Sequence, residues 1–167
     1  MVKHMENDNT IGMCGSVTNS IGNEAQVMVK YHDIEGLDEF SYNYTWKHMN
    51  EQWQDPNVLA FFCTLIKRGV IEKCGLLDES YKVGMFEDDD YAEEVKSAGY
   101  RLAIAEDSFV HHFGGSSFKR LKDKKYKEIF ETNKKTFEGK WLKKWKPHAY
   151  RPGVTWEKNK NTSLEIG

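Results

Sequence analysis

The chain has 167 residues, 39% of them hydrophobic and 13% aromatic, which is enough to bury one domain-sized core and excludes global disorder; no apolar run approaches the ~20 residues of a membrane span. Its three cysteines, Cys14, Cys63 and Cys74, lack any Cys-x-x-Cys spacing, so they read as reduced core thiols of a cytosolic protein and exclude a disulfide framework or zinc knuckle. The net charge is only −2, but residues 119–167 carry 15 Lys/Arg against 6 Asp/Glu, leaving an acidic body with a basic tail.

In chain order, MVKHMENDN reads as the last turn of a helix and IGMCGSVT, residues 11–18, as a buried strand. SIGNEAQ follows as a polar loop. Residues 37–53 have an imperfect helical period, with Phe40, Tyr44 and Met49 on one side, stopped by Asp55-Pro56. VLAFFCTLIKR, residues 58–68, is a continuous apolar run and reads as a strand covered on both faces. VIEKCGLL, residues 70–77, reads as a short helix closed by Gly75. A second helix over 88–98 carries Ala92, Val95 and Ala98 on one face and ends at Gly99. RLAIA, residues 101–105, is another buried strand, followed by SFVHHFGGSSF. A helix over 119–138 has Leu121, Tyr126, Ile129, Phe130 and Phe137 as its apolar stripe, and the Pro-broken remainder reads as an irregular tail. Strands alternating with helices give an α/β layer architecture with about three strands.

The run MFEDDDY, residues 85–91, sets Glu87, Asp88, Asp89 and Asp90 side by side. Adjacent carboxylates repel, so something must offset the cost. A helix N-terminus offsets part of it, at about 0.3–1 kcal/mol per carboxylate, with Asp88 as the capping residue and Asp89 and Asp90 in the first turn. The spacing does not suit a calcium loop. His111 and His112 close the next strand, and ligands of open α/β sheets gather at such carboxyl ends. An acidic base beside a histidine ligand is a combination that catalysis uses.

The order FFCTLIKR, EKCGLLDESYKVGMFEDDDYAEEVKSAGYRL and FVHHFGGSSF resembles the C-terminal half of family-two glycosyltransferases of the GT-A fold, most of all the bacterial rhamnosyltransferase-like members. The similarity runs from about Ile11 to Phe118, which makes 1–118 the acceptor and catalytic half, and 119–167 a basic helix and irregular tail. The resemblance implies a partial GT-A fold, a mixed sheet with flanking helices, and inverting transfer of a sugar from a nucleotide sugar to an acceptor hydroxyl. Glu87-Asp88 matches the family's Glu-Asp pair, with Asp88 as the base, Asp89 the second choice and Asp90 supporting the helix start. His112, with His111 as the alternative, matches the ligand of a divalent Mg²⁺ or Mn²⁺ on the diphosphate. Gly75, Asp78 and Glu79 match the segment beside the acceptor pocket, and Asn19, in GSVTN, lies in a loop that shapes the donor site.

The family's Asp-x-Asp metal motif has no counterpart before Ile11, and Ala92 stands where a Cys is common. The chain is therefore expected to be inactive without the family's N-terminal half. Its expected partners are that half, a nucleotide sugar and a saccharide or lipid-linked acceptor, with a homodimer through an exposed sheet edge as a further expectation. The expected setting is bacterial cell-surface polysaccharide synthesis, in the cytoplasm or peripherally at the inner membrane face. No nucleic-acid motif accompanies the basic tail. The competing readings are a metal-dependent hydrolase that uses the acids and both histidines as ligands, and a non-catalytic binding module that docks through the tail.

Overall fold

The computed structural model describes residues 1–113 and 123–155. The Gly-Ser turn after Phe113, the start of the long helix with Leu121, and Trp156 lie outside the described residues. The chain is an α/β protein built on a four-stranded mixed sheet in the order β2-β4-β1-β3. β1 (Ile11–Val17) and β4 (Arg101–Phe109) pair in parallel at the centre, while β2 (Gln52–Gln54) and β3 (Thr64–Ile66) add antiparallel edges. The five helices among the described residues are α1 (Val2–Asn7), α2 (Ile34–Lys47), α3 (Arg68–Cys74), α4 (Glu87–Ser97) and α5 (Asp123–Trp141).

Alternation along the central strands divides the core into two layers. Met13 and Val17 of β1 and Leu102 and Ile104 of β4 pack against α2, α3 and α4, where Phe40, Tyr44, Val70, Ala92 and Val95 meet them. The opposite face carries smaller groups, Cys14, Ala103 and Ala105, under Met5 of α1. All three cysteines are free thiols, and Cys14 is buried. A separate cluster joins α5 to the body: Tyr81 and Phe86 pack on Phe137, with Phe130, Trp141 and Trp145 around them.

Several boundaries differ from those read in the sequence. Only residues 64–66 of the apolar run 58–68 are a strand. Val58 and Leu59 enter the core as irregular chain, and the Phe62 amide and the Thr64 hydroxyl both donate to the carbonyl of Ala60, a tight turn that keeps the segment out of the sheet. Strand β2 has no apolar signature of its own and forms because β4 offers it an open edge. The sheet therefore has four strands where the sequence suggested about three. Helix α2 begins at Ile34, capped by Asp33, whose side chain accepts from the Gly36 amide at 2.7 Å. It ends at Lys47, so Met49 falls beyond it and is exposed.

Candidate functional site

The acidic run occupies the first turn of α4. Asp88 is not the capping residue: Phe86 holds that position in the left-handed conformation, φ 74°, with no side-chain cap. Phe86 accepts that conformation because its ring is buried against Phe130, Phe137 and Trp145. A short turn through Gly99 (φ 86°) connects α4 to β4. The N-terminus of α4 therefore lies at the carboxyl end of the two parallel strands, the end at which β4 delivers its histidines.

The four carboxylates have distinct environments. Asp90 is fully buried and accepts from Lys140 at 2.7 Å, Trp141 Nε1 at 2.8 Å and the Tyr81 hydroxyl at 3.2 Å, so it ties α4 to α5. Asp89 Oδ1 accepts from Trp145 Nε1 at 3.0 Å and pairs with His148 Nε2 at 2.7 Å. Asp88 Oδ1 accepts from the Asp89 amide at 3.0 Å. Burial, reinforced by the charges of Asp89 and Glu87, pushes the Asp88 carboxyl up to about 7. Glu87 Oε2 is buried without a hydrogen-bond partner. Asp88 is thus a carboxyl poised to exchange a proton near neutrality, which is what general-base chemistry requires.

The two histidines are placed differently. His112 is clamped by Asn19: its amide donates to Asn19 Oδ1 at 2.8 Å and its carbonyl accepts from Asn19 Nδ2 at 3.3 Å. Its Nδ1 donates to the Ser20 carbonyl at 2.6 Å, and its ring stacks on Phe62 at 5.2 Å. With the proton fixed on Nδ1, the lone pair of the neutral ring sits on Nε2, the arrangement common among metal-ligating histidines. His111 lies in an aromatic cluster, its Nδ1 2.6 Å from the Tyr31 hydroxyl and its ring against Phe113. Burial keeps the Tyr31 phenol protonated and, with the charge of His112, lowers His111. The bond to Tyr31 engages Nδ1 of His111.

The segment matched to an acceptor pocket divides. Gly75, with Leu76, Leu77, Phe61, Phe62 and Tyr91, lines an apolar groove of about 500 Å³. Asp78 instead pairs with Lys140 at 3.2 Å and accepts from the Ser80 amide, which holds its carboxyl below the usual range. Glu79 is exposed. Asn19, expected in a donor loop, is the residue that positions His112.

How residues 142–155 behave was not legible in their composition. They form an ordered strap across this end of the sheet: Trp145 and His148 hold Asp89, and Arg151 makes a bidentate pair with buried Glu106 at 2.9 and 3.0 Å. Arg151 Nε also donates to the Glu24 carbonyl at 2.6 Å, and the Thr155 carbonyl accepts from Gln26 Nε2 at 3.2 Å. The isolated aromatic, His and Arg residues of a Pro-broken stretch carry no periodicity that would reveal these contacts. Among the described residues no group of three or more His, Cys, Asp or Glu is disposed to hold a metal ion by itself, and no helix is long and apolar enough to cross a membrane. No family model, curated protein or solved structure matches the chain.

Proposed function

We propose that this chain is the acceptor-side, catalytic portion of an inverting, rhamnosyltransferase-like glycosyltransferase of family two, with a partial GT-A fold. The observation that carries the reading is Asp88, a carboxyl raised to about 7 in the first turn of α4; Tyr91 of that helix packs on Phe61 at 6.1 Å, and His112 stacks on the adjacent Phe62 at 5.2 Å. Asp88 takes the proton of an acceptor hydroxyl as that oxygen attacks the anomeric carbon, and the nucleoside diphosphate departs from the opposite face with inversion. Glu87 and Asp89 keep the base from ionising too early, because their charges oppose a further charge on Asp88.

His112 Nε2 is the one ligand this reading assigns to a divalent Mg²⁺ or Mn²⁺, whose remaining positions fall to the diphosphate, water and residues outside this cluster. When bound, such an ion neutralises charge on the leaving diphosphate. The groove of Gly75, Leu76 and Leu77 receives the acceptor, a saccharide or lipid-linked sugar. The setting proposed is cytoplasmic, peripheral to the inner membrane face, in bacterial cell-surface polysaccharide synthesis.

Calorimetric titration with Mn²⁺ and UDP- or dTDP-sugars tests the reading. Weak binding that needs both metal and diphosphate, is lost in His112→Ala and persists in Asp88→Asn is expected. Tight Mn²⁺ binding without nucleotide would instead indicate a self-sufficient metal centre and overturn it.

A further inference from the structure

We propose that His148 is a positioning residue of this site, acting on Asp88 through Asp89. The inference rests on the reading of Asp88 as the base, and it concerns a residue in the strap rather than in the α/β body.

The geometry separates the four acids: Asp89 and Asp90 are bonded to side chains of other elements, whereas Asp88 accepts from the Asp89 amide and Glu87 Oε2 is buried without a partner. Asp90 is committed to Lys140, Trp141 and Tyr81. Asp89 is committed to the strap, and one oxygen, Oδ1, faces both the indole N–H of Trp145 and Nε2 of His148. A single oxygen receiving two donors is best matched by an ionised carboxylate and a protonated imidazole. Burial opposes that imidazolium, but the bond to Asp89 and the charges of Asp89, Asp88 and Glu24 outweigh it, so His148 stays charged to higher pH than an ordinary histidine.

The cation therefore stands next to the residue that directly follows Asp88. It balances Asp89 and lowers the repulsion that Asp89 exerts on Asp88. Also packed here are Glu87 on the same helix, Glu24 from the loop after β1, Lys143, which is bound to Glu93 at 2.6 Å, Lys144, which is paired with Glu138 at 3.1 Å, Lys146 of the strap, and Lys134 of α5, 5.9 Å over the Trp145 ring. Lys140 is spent on Asp78, Asp90 and Glu94. His148 is thus the cation of this neighbourhood that bonds directly to Asp89.

Anchoring alone does not require a histidine. Trp145 binds the same Asp89 oxygen, Arg151 grips Glu106 and the Glu24 carbonyl, and Thr155 is held by Gln26. The strap therefore keeps its other anchors when His148 is replaced, and the charge can be removed without releasing the segment.

The test is a carbonyl-detected NMR titration of the full chain labelled at aspartate, with the Asp88 signal assigned by its loss in Asp88→Asn. In His148→Gln the Asp88 midpoint moves upward by about one unit, the scale of one nearby charge at protein-surface dielectric. In His148→Lys, which restores a cation, it returns toward the native value, and in Trp145→Phe, which removes only the neutral donor, it moves less than in His148→Gln. The Trp145 indole resonance reports that the strap remains docked in the His148 variants. An Asp88 midpoint that stays in place or falls in His148→Gln overturns the proposal. Because the readout is the ionisation of Asp88 itself, it is independent of sugar transfer: full transfer activity in Asp88→Asn would refute the base assignment while leaving the coupling to His148 measured.

Discussion

Asp88 shows how an identical residue type takes different roles within four positions. Its carboxyl is raised from about 3.9 in an unfolded chain to about 7 here, so between those values the folded state keeps a proton that the unfolded state has lost. Stability contributed by this group is fully present below about 3.9 and is lost progressively as pH rises to about 7. Asp88→Asn, neutral throughout, is therefore expected to be more stable than the native chain at pH 8 by on the order of 4 kcal/mol, and the difference should close only near pH 4, where the unfolded carboxyl also takes up its proton. Urea unfolding at the two pH values measures this. In a transfer assay with a donor-binding half supplied, the same ionisation sets the acidic limb, with rate rising through about pH 7 as the carboxylate forms, and the Asn variant losing ~10²-fold or more. That the run needs compensating partners was legible in its sequence, because like charges beside aromatics are costly without them. The division of labour within it was not, because the partners that distinguish Asp88 from Asp89 and Asp90 lie on α5 and the strap.

Among the elements, those with strong internal periodicity were legible. Helix α4 was readable from Ala92 and Val95, both fully buried, and from the stop at Gly99. The stretch 58–63 misled because hydrophobicity marks burial and not backbone conformation, and a turn at Ala60 satisfies the same burial as a strand. Strand β2 was invisible because its pairing partner, not its composition, forms it. Two substitutions probe how elements are joined. Asp90→Asn weakens the buried Lys140 pair linking α4 to α5 and is expected to cost about 2–4 kcal/mol, read as a lower urea midpoint with loss of the Trp141 signal. Gly12→Ala would place a methyl 2.7 Å from Tyr100 Cβ and 2.9 Å from Val70 Cγ2, where β1 meets α3 and the start of β4. It is expected to cost about 1–3 kcal/mol, seen as a lower melting temperature.

For the molecule as a whole, the strap changes what the basic tail means. Its lysines largely face solvent, but its Trp, His and Arg residues bind the acidic run, Glu106 and the loop after β1, so the far end of the described chain completes the surface around the candidate base. Arg151→Met removes a bidentate partner of buried Glu106 and is expected to cost about 3 kcal/mol and to speed tryptic cleavage at Lys143 and Lys144, as followed by mass spectrometry.

The parallel pairing of Ile11 with Arg101 has a kinetic side. As the chain is synthesised, β1 has only the three-residue β3 to pair with until β4 emerges, and so short a two-strand ribbon is marginal in water. The apolar central strand must wait, exposed along one side, for a partner from the far part of the sequence. Closure of that long loop is the step expected to limit refolding, and the interval before it is when the nascent chain is most prone to aggregate.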